Sequence, residues 1–370
     1  MNWIKISLIN FVIFFLLIIV IEVGLRFIWT GYQCYKSDCN FSRITNLSIY
    51  DVLNEFLDIN LGFTKYDKDL GYIPNPGFEE TINAKGWKNK YVSVDKYSFR
   101  KNNSDNIPRH LDQNQTILAV GDSFTFGDQV SNHETWPACL ERELGKTVLN
   151  AGVPGYGAAQ AVKRASMIDK DFDINTVILS IYLNDDFHRD QNVYLSGFPR
   201  PSVITVNGQI KYDKVPDLGD IGTKFNPKDQ RVFWAFIKNN SMLGSRIIDA
   251  LNIDLSGKGK LKIHPKSAQI NEIINFTISE FEKLSMINKL VVFQYAKHDL
   301  YDENYAIQKT QQIREQVSSI LNEKKIDFVD TYNALFLNEK KGLKKVWYSH
   351  HSPFGNEIVC SQLLKFLVQD

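Results

Sequence analysis

Four short stretches of this chain carry side chains that together could run acyl transfer. The first is Gly121-Asp122-Ser123, which closes the apolar run Ile117-Leu-Ala-Val120. A hydroxyl delivered there is a candidate nucleophile if a base can take its proton. The second is Asn150-Ala-Gly-Val-Pro-Gly155, where a glycine lets the backbone approach a substrate with no Cβ in the way. The third is Tyr182-Leu183-Asn184-Asp185, whose Asn184 amide offers two N–H donors and no charge. The fourth, His350-His351-Ser352-Pro353-Phe354-Gly355-Asn356, supplies imidazole. A serine, a histidine base and neutral donors for a developing oxyanion are the parts that ester chemistry requires.

These groups need a scaffold that brings distant residues to one edge. From residue 116 onward, strand and helix patterns alternate. Strands are expected at 116–121, 147–150, 176–183, 289–295 and 326–330, and helices at 135–144, 158–171, 267–286, 303–324 and 354–368. Five buried strands alternating with helices predict a parallel sheet covered on both faces. The carboxyl ends of such strands are where open α/β sheets bind ligands. Ser123, Gly155 and Asn184 all fall there. The alternation breaks at 187–266, read as an insertion with a strand near 203–212 and a helical run at 230–251. Residues 30–115 read as an irregular N-terminal extension packed on a main domain spanning 116–370.

Residues 1–29 read as an anchor. The run Ile6 to Ile21 carries no charge, and Phe27-Ile28-Trp29 gives it an aromatic, interface-type end. Its length suits one membrane crossing, which takes roughly 20 residues. No Ala-x-Ala-like site marks it for removal as a signal peptide. The expectation is a single-pass protein of a bacterial-type inner membrane with its body in the periplasm. Lys and Arg total 43 against 42 Asp and Glu, a balance that gives no basic patch for nucleic acid. Of four cysteines, Cys34 and Cys39 lie in a polar loop that suits a disulfide. Cys139 and Cys360 fall in helical patterns and read as buried thiols.

The four blocks, in this order, resemble those of the SGNH (GDSL-type) hydrolases, a family named for its Ser, Gly, Asn and His. The resemblance runs from about residue 116 to 370. It implies a flavodoxin-like, three-layer α/β/α sandwich and ester chemistry on acylated substrates. It also implies the roles: Ser123 as nucleophile, His350 as base, and the Ser123 and Gly155 amides with the Asn184 side chain as oxyanion hole. The Ser-Pro-x-Gly that follows puts His350 in the catalytic register and His351 beside it. Two departures stand out. Tyr182 replaces the usual glycine of the third block. Trp347 and Tyr348 stand where the family carries the acid that orients the histidine. Asp330, at the end of the last strand, is a distant candidate for that acid, and Asp122 reads as a turn residue beside the nucleophile.

No metal and no organic cofactor is implied. Adjacent Asp185 and Asp186 read as solvated or backbone-bonded rather than as ligands. The leading expectation is a membrane-anchored serine esterase or O-acyltransferase whose partner is an acylated small molecule or an envelope glycan. The rival, prompted by the missing acid, is a catalytically silent protein of the same fold that binds glycan or assists polysaccharide assembly.

Overall fold

The computed structural model describes residues 64–84, 86–103, 116–172, 174–195, 198–215, 266–301 and 305–368, together with Leu17, Val20, Ile21 and Gly24. Contacts divide the chain into two units: Asn60–Pro216 with Leu261–Asp370, and Met1–Ile59 with Asp217–Lys260. In the latter, Leu17, Val20, Ile21 and Gly24 are helical, and the three apolar side chains are exposed. The rest of the expected anchor, Cys34, Cys39 and the helical run at 230–251 lie outside the described residues. Among the described residues, no helix is long and apolar enough to cross a membrane.

The larger unit opens with two antiparallel hairpins, β1 (Thr64–Asp67) with β2 (Gly71–Pro74), and β3 (Glu79–Ala84) with β4 (Trp87–Ser93). Then follow β5 (Thr116–Val120), α1 (Ser123–Phe126), α2 (Trp136–Leu144), β6 (Thr147–Asn150), α3 (Ala158–Asp171), β7 (Thr176–Tyr182) and α4 (Asp186–Arg189). Short hairpins β8 (Tyr194–Leu195) with β9 (Phe198–Pro199), and β10 (Val203–Val206) with β11 (Gln209–Tyr212), lead on. The chain continues through α5 (Ile270–Glu282), β12 (Asn288–Gln294), α6 (His298–Tyr301), α7 (Tyr305–Glu323), β13 (Asp327–Asp330), α8 (Tyr332–Lys341) and α9 (Pro353–Leu367).

The main sheet is five-stranded and parallel, in the order β13-β12-β7-β5-β6. Each inner strand is an apolar run because both of its faces are covered. Ile117, Ala119, Ile178, Leu290 and Val292 point to one side, against Trp136 and Leu140 of α2 and Val359 and Leu363 of α9. The alternate residues Leu118, Val120, Val177, Leu179, Val291 and Phe293 point to the other, against α3, α5 and α7 through Ala161, Ile274, Ile278, Val317 and Leu321. The sequence order reverses at β5: the chain goes out to β6 and returns to β7 on the other side. This is the crevice where such sheets bind ligands, and the residues after β5, β6 and β7 are those of the first three blocks.

The last helix is fastened to the second. Thr135 caps α2 by accepting from Ala138 N–H, and Ser352 caps α9 by accepting from Gly355 N–H. Asn356 Oδ1 accepts the Trp136 N–H at 3.0 Å. The expectation of buried thiols at Cys139 and Cys360 is corrected: the two form a disulfide with Cα atoms 6.1 Å apart. They lie on facing sides of α2 and α9, within bridging range, and a separation of 221 residues hides their proximity in the sequence. Helix α8, which follows the last strand, is a further element that the periodicity left unassigned; only Leu335 of it is fully buried, so it has little apolar pattern to read.

Replacing Cys139 and Cys360 together by alanine should lower the unfolding free energy by roughly 2–4 kcal/mol. Thermal denaturation of the variant against the unmodified protein measures it. An unchanged Tm would show that the bridge does not constrain the chain.

Candidate active site

Strand β5 ends at Val120, and Gly121 turns the chain out of the sheet. A side chain at Gly121 would collide with Thr125 Oγ1 at 2.4 Å and with the Ser180 carbonyl oxygen of β7 at 2.7 Å. Asp122 then caps α1, accepting the Phe124 N–H at 2.9 Å, so its turn role is a capping role. Ser123 is the first residue of that helix and is only 5% exposed. Its hydroxyl is 2.9 Å from His350 Nε2 and 3.4 Å from Asp122 Oδ2. The shorter contact is the one that chemistry needs, because Nε2 can accept the hydroxyl proton.

His350 is held by its backbone. The side-chain oxygen of Gln129 accepts from the His350 N–H at 3.1 Å, the Ser349 N–H at 3.0 Å and the Ser349 hydroxyl at 2.8 Å. Gln129 itself has φ of 69°, a left-handed conformation that costs a non-glycine residue about 1 kcal/mol or more. The Phe124 ring lies 5.1 Å from the His350 ring and 4.8 Å from that of His351. Nδ1 of His350 is buried and has no hydrogen-bond partner among the described residues.

His351 faces away from Ser123. It is buried, and its Nε2 lies 3.2 Å from the Tyr295 carbonyl oxygen. Burial lowers its pKa to about 3, so the ring is neutral. Asp330 does not reach His350. Its carboxylate accepts from Tyr295 Oη at 3.0 Å and from Tyr332 N–H at 2.9 Å, and it pairs with Arg314. The distant candidate for the orienting acid is thus bonded to Tyr295, Tyr332 and Arg314 rather than to His350. Trp347, also buried, spends its indole N–H on the Tyr295 carbonyl at 3.1 Å.

Gly155 has φ of 80°, a conformation that glycine adopts without strain, and its carbonyl accepts from the Arg200 guanidinium. The loop it belongs to is tied to the nucleophile strand by Ala151 N–H to Ala119 O at 2.8 Å and Val153 N–H to Gly121 O at 3.0 Å. The Asn184 amide nitrogen donates to Asp299 Oδ1 at 2.9 Å and has His298 Nε2 at 3.3 Å and Tyr182 Oη at 3.4 Å. One of its two N–H groups is thus committed to Asp299, and the other faces a tyrosine hydroxyl and an imidazole. Tyr182, the departure in the third block, also lies against Phe124, with ring centroids 5.1 Å apart.

Beneath the site is a charge cluster. Arg189 reaches Asp122 at 3.0 Å, Asp186 at 2.9 Å and Asp185 at 2.8 Å. Burial works to lower the Arg189 pKa, but Asp186, Asp122 and Asp185 outweigh it and hold the guanidinium above its ordinary value. Burial, then the Asp122 charge, pushes the Asp186 carboxyl well above the usual range, although Asp186 also accepts the Tyr182 N–H at 2.8 Å. The paired aspartates therefore serve an arginine and a backbone amide. On the other side of the nucleophile, buried Arg100 donates to the carbonyls of Phe126 at 2.7 Å and Val130 at 2.6 Å, and burial lowers its pKa to about 9.

Gln129, Arg189 and Arg100 are site residues that the sequence did not single out, whereas His298-Asp299, after the fourth strand, reads from the sequence as a polar loop and possible rim contact. Arg189 had a signal, since it lies four residues after Asp185 and three after Asp186 on one helix. Nothing in the sequence separates a buried Arg100 from a solvated one.

No family model and no curated protein matches the chain. Among solved structures it is similar to a member of the lipolytic protein G-D-S-L family from Veillonella parvula DSM 2008, at 11% identity, covering 69% of this chain and 99% of that one with a TM-score of 0.39. It is similar to an acetylxylan esterase from Geobacillus stearothermophilus at 16% identity, covering 68% and 93%, with a TM-score of 0.36. An alpha/beta hydrolase enzyme from the metagenome of Lake Arreo, Spain, is 9% identical over 68% and 94% of the two chains, with a TM-score of 0.40.

The neutral, buried His351 has a consequence for acid stability. Its pKa in the folded chain, about 3, lies below its ordinary value of 6.5. Between those values the unfolded chain binds the proton and the folded chain does not, so this residue makes stability fall as pH drops from 6.5. His351→Gln should remove that contribution, whose slope approaches about 1.4 kcal/mol per pH unit. Urea unfolding of both proteins at a series of pH values checks it: the difference curve slopes if the ring is neutral, and is flat if His351 is protonated when folded.

Proposed function

We propose that this chain is a serine esterase or O-acyltransferase acting on acyl esters, with acetyl the foremost acyl group. The observation that carries the reading is the 2.9 Å contact between Ser123 Oγ and His350 Nε2, made by residues 227 apart in the chain. In the first half-reaction Ser123 Oγ attacks the ester carbonyl carbon as Nε2 removes its proton. The carbonyl oxygen takes up the electron pair, and the backbone N–H groups of Ser123 and Gly155 with the second N–H of Asn184 are its donors. Collapse of the adduct breaks the bond to the leaving oxygen, which receives the proton from His350 and departs as an alcohol. The acyl group stays on Ser123.

In the second half-reaction His350 deprotonates an incoming hydroxyl, which attacks the acyl carbon and frees the serine. Water gives hydrolysis, and a sugar hydroxyl gives transfer. The substrate we propose is an acylated envelope glycan, handled outside the cytoplasm by a body anchored through residues 1–29. The uncharged run Ile6 to Ile21 supports the anchor. The Cys139–Cys360 disulfide supports the compartment, because disulfides persist in oxidising spaces. The rival reading, a silent glycan-binding protein, draws on the unpartnered His350 Nδ1.

Release of p-nitrophenol from a short-chain ester by the full-length protein and by Ser123→Ala separates the two. The expected loss is on the order of 10³-fold or more. Equal rates would sink the enzymatic reading for such esters, whereas a covalent fluorophosphonate adduct on Ser123 would sink the silent one. A polysaccharide acceptor that gains acyl groups by mass spectrometry distinguishes transfer from hydrolysis.

A further inference from the structure

We propose that Asp128 is the carboxylate that orients His350, replacing from the nucleophile block the acid that the histidine block lacks. The proposal rests on the acyl-transfer reading above. Among the described residues, Nδ1 of His350 and Oδ1 of Asp128 are buried at this site without a hydrogen-bond partner, as are Thr125 Oγ1 and Nδ1 of the neutral His351. The first two have complementary chemistries. For Nε2 to accept from Ser123, the neutral ring must carry its proton on Nδ1, so Nδ1–H is a donor. An ionised carboxylate only accepts. Burying either group unpaired is costly, and a hydrogen bond between them would remove both costs.

The chain path brings the two together. Asp128 N–H donates to the Ser123 carbonyl at 3.0 Å, so this carboxylate leaves the same turn that carries the nucleophile. The next residue, Gln129, holds the His350 N–H at 3.1 Å. The alternatives are engaged elsewhere: Asp330 by Arg314 and Tyr295, Asp122 by Arg189 and the Phe124 N–H, and Asp299 by Asn184 and the Ala296 N–H. Four charges bear on Asp128, from His350, Arg100, Asp122 and Arg189, and that of His350 is the strongest. Burial raises the carboxyl to about 6, with His350 foremost in holding it down. It is therefore ionised at neutral pH.

Nδ1 and Oδ1 do not bond to each other in the resting geometry. Catalytic hydrogen bonds of free enzymes are commonly long and tighten with substrate. When Nε2 takes the Ser123 proton, the ring becomes an imidazolium, and a carboxylate at Nδ1 stabilises it while remaining ionised. Asp128 thus acts through His350 as a positioning residue and makes or breaks no bond itself.

The test uses the full-length protein in detergent, with Asp128→Asn, Asp128→Ser and Asp128→Glu. Fluorophosphonate labelling of the unmodified protein at Ser123 comes first. Its failure counts against the acyl-transfer reading and leaves nothing for Asp128 to assist. Given labelling, Asp128→Asn and Asp128→Ser should lower kcat for a p-nitrophenyl ester on the order of 10²- to 10⁴-fold, with KM and Tm little changed. Asp128→Glu should recover part of the rate. Rates equal to that of the unmodified protein in the Asn and Ser variants would overturn the proposal. Should those variants fail to fold, histidine ¹⁵N NMR of the unmodified protein decides. The neutral His350 ring protonated on Nδ1 upholds the assignment, and protonation on Nε2 overturns it.

Discussion

A guanidinium that cannot leave the protein interior holds the site in place. Arg189 is met by carboxylates from the end of β5, through Asp122, and from the end of β7, through Asp185 and Asp186. Removing Asp122 or Asp186, the buried members of this set, leaves an uncompensated charge, which typically costs about 3–5 kcal/mol. The strand ends that carry Ser123 and Asn184 are thereby locked to each other as well as through the sheet. Asp122 is the hinge of this arrangement, since it also caps the helix that begins at the nucleophile. Its neighbour has little freedom left.

A second buried cation serves the far side of the same turn. Arg100 belongs to the segment that precedes the sheet, yet its N–H pairs with the Asn150 carbonyl and its side chain holds carbonyls of residues 126, 127 and 130. Those carbonyls lie at and just past the end of α1, where a short helix leaves acceptors without intrahelical partners. The segment before β5 is therefore part of the site's scaffold. Arg164 acts alike one layer out, joining the Ala151 and Ser98 carbonyls.

Much of this is readable from residue order. The strands carrying Ser123, Gly155 and Asn184 announce themselves as apolar runs, because parallel strands buried on both faces have no polar side to disguise them. The choice of His350 over His351 follows from the Ser-Pro-x-Gly spacing, and in the folded chain it is His350 Nε2 that lies 2.9 Å from Ser123 Oγ. What stays hidden is whatever depends on partners far along the chain. Cys139 and Cys360 look like core thiols until α2 and α9 are laid side by side. Asp330 looks available until Arg314 is placed against it. Gln129 looks like an ordinary polar loop residue, and only the folded chain shows one side-chain oxygen gathering three donors from the histidine loop. Periodicity speaks for faces and lengths, and is mute about which buried polar atom meets which.

The 227 residues between Ser123 and His350 bear on when the molecule can act. Closing so long a loop is entropically unfavourable until the sheet between its ends has formed. Ser123 is synthesised early, but His350 is not beside it until β7, β12 and β13 are in place and the histidine loop has come down onto Gln129. Until then its hydroxyl is a plain, poorly reactive one. The contact between the two side chains thus forms only when the whole domain is complete.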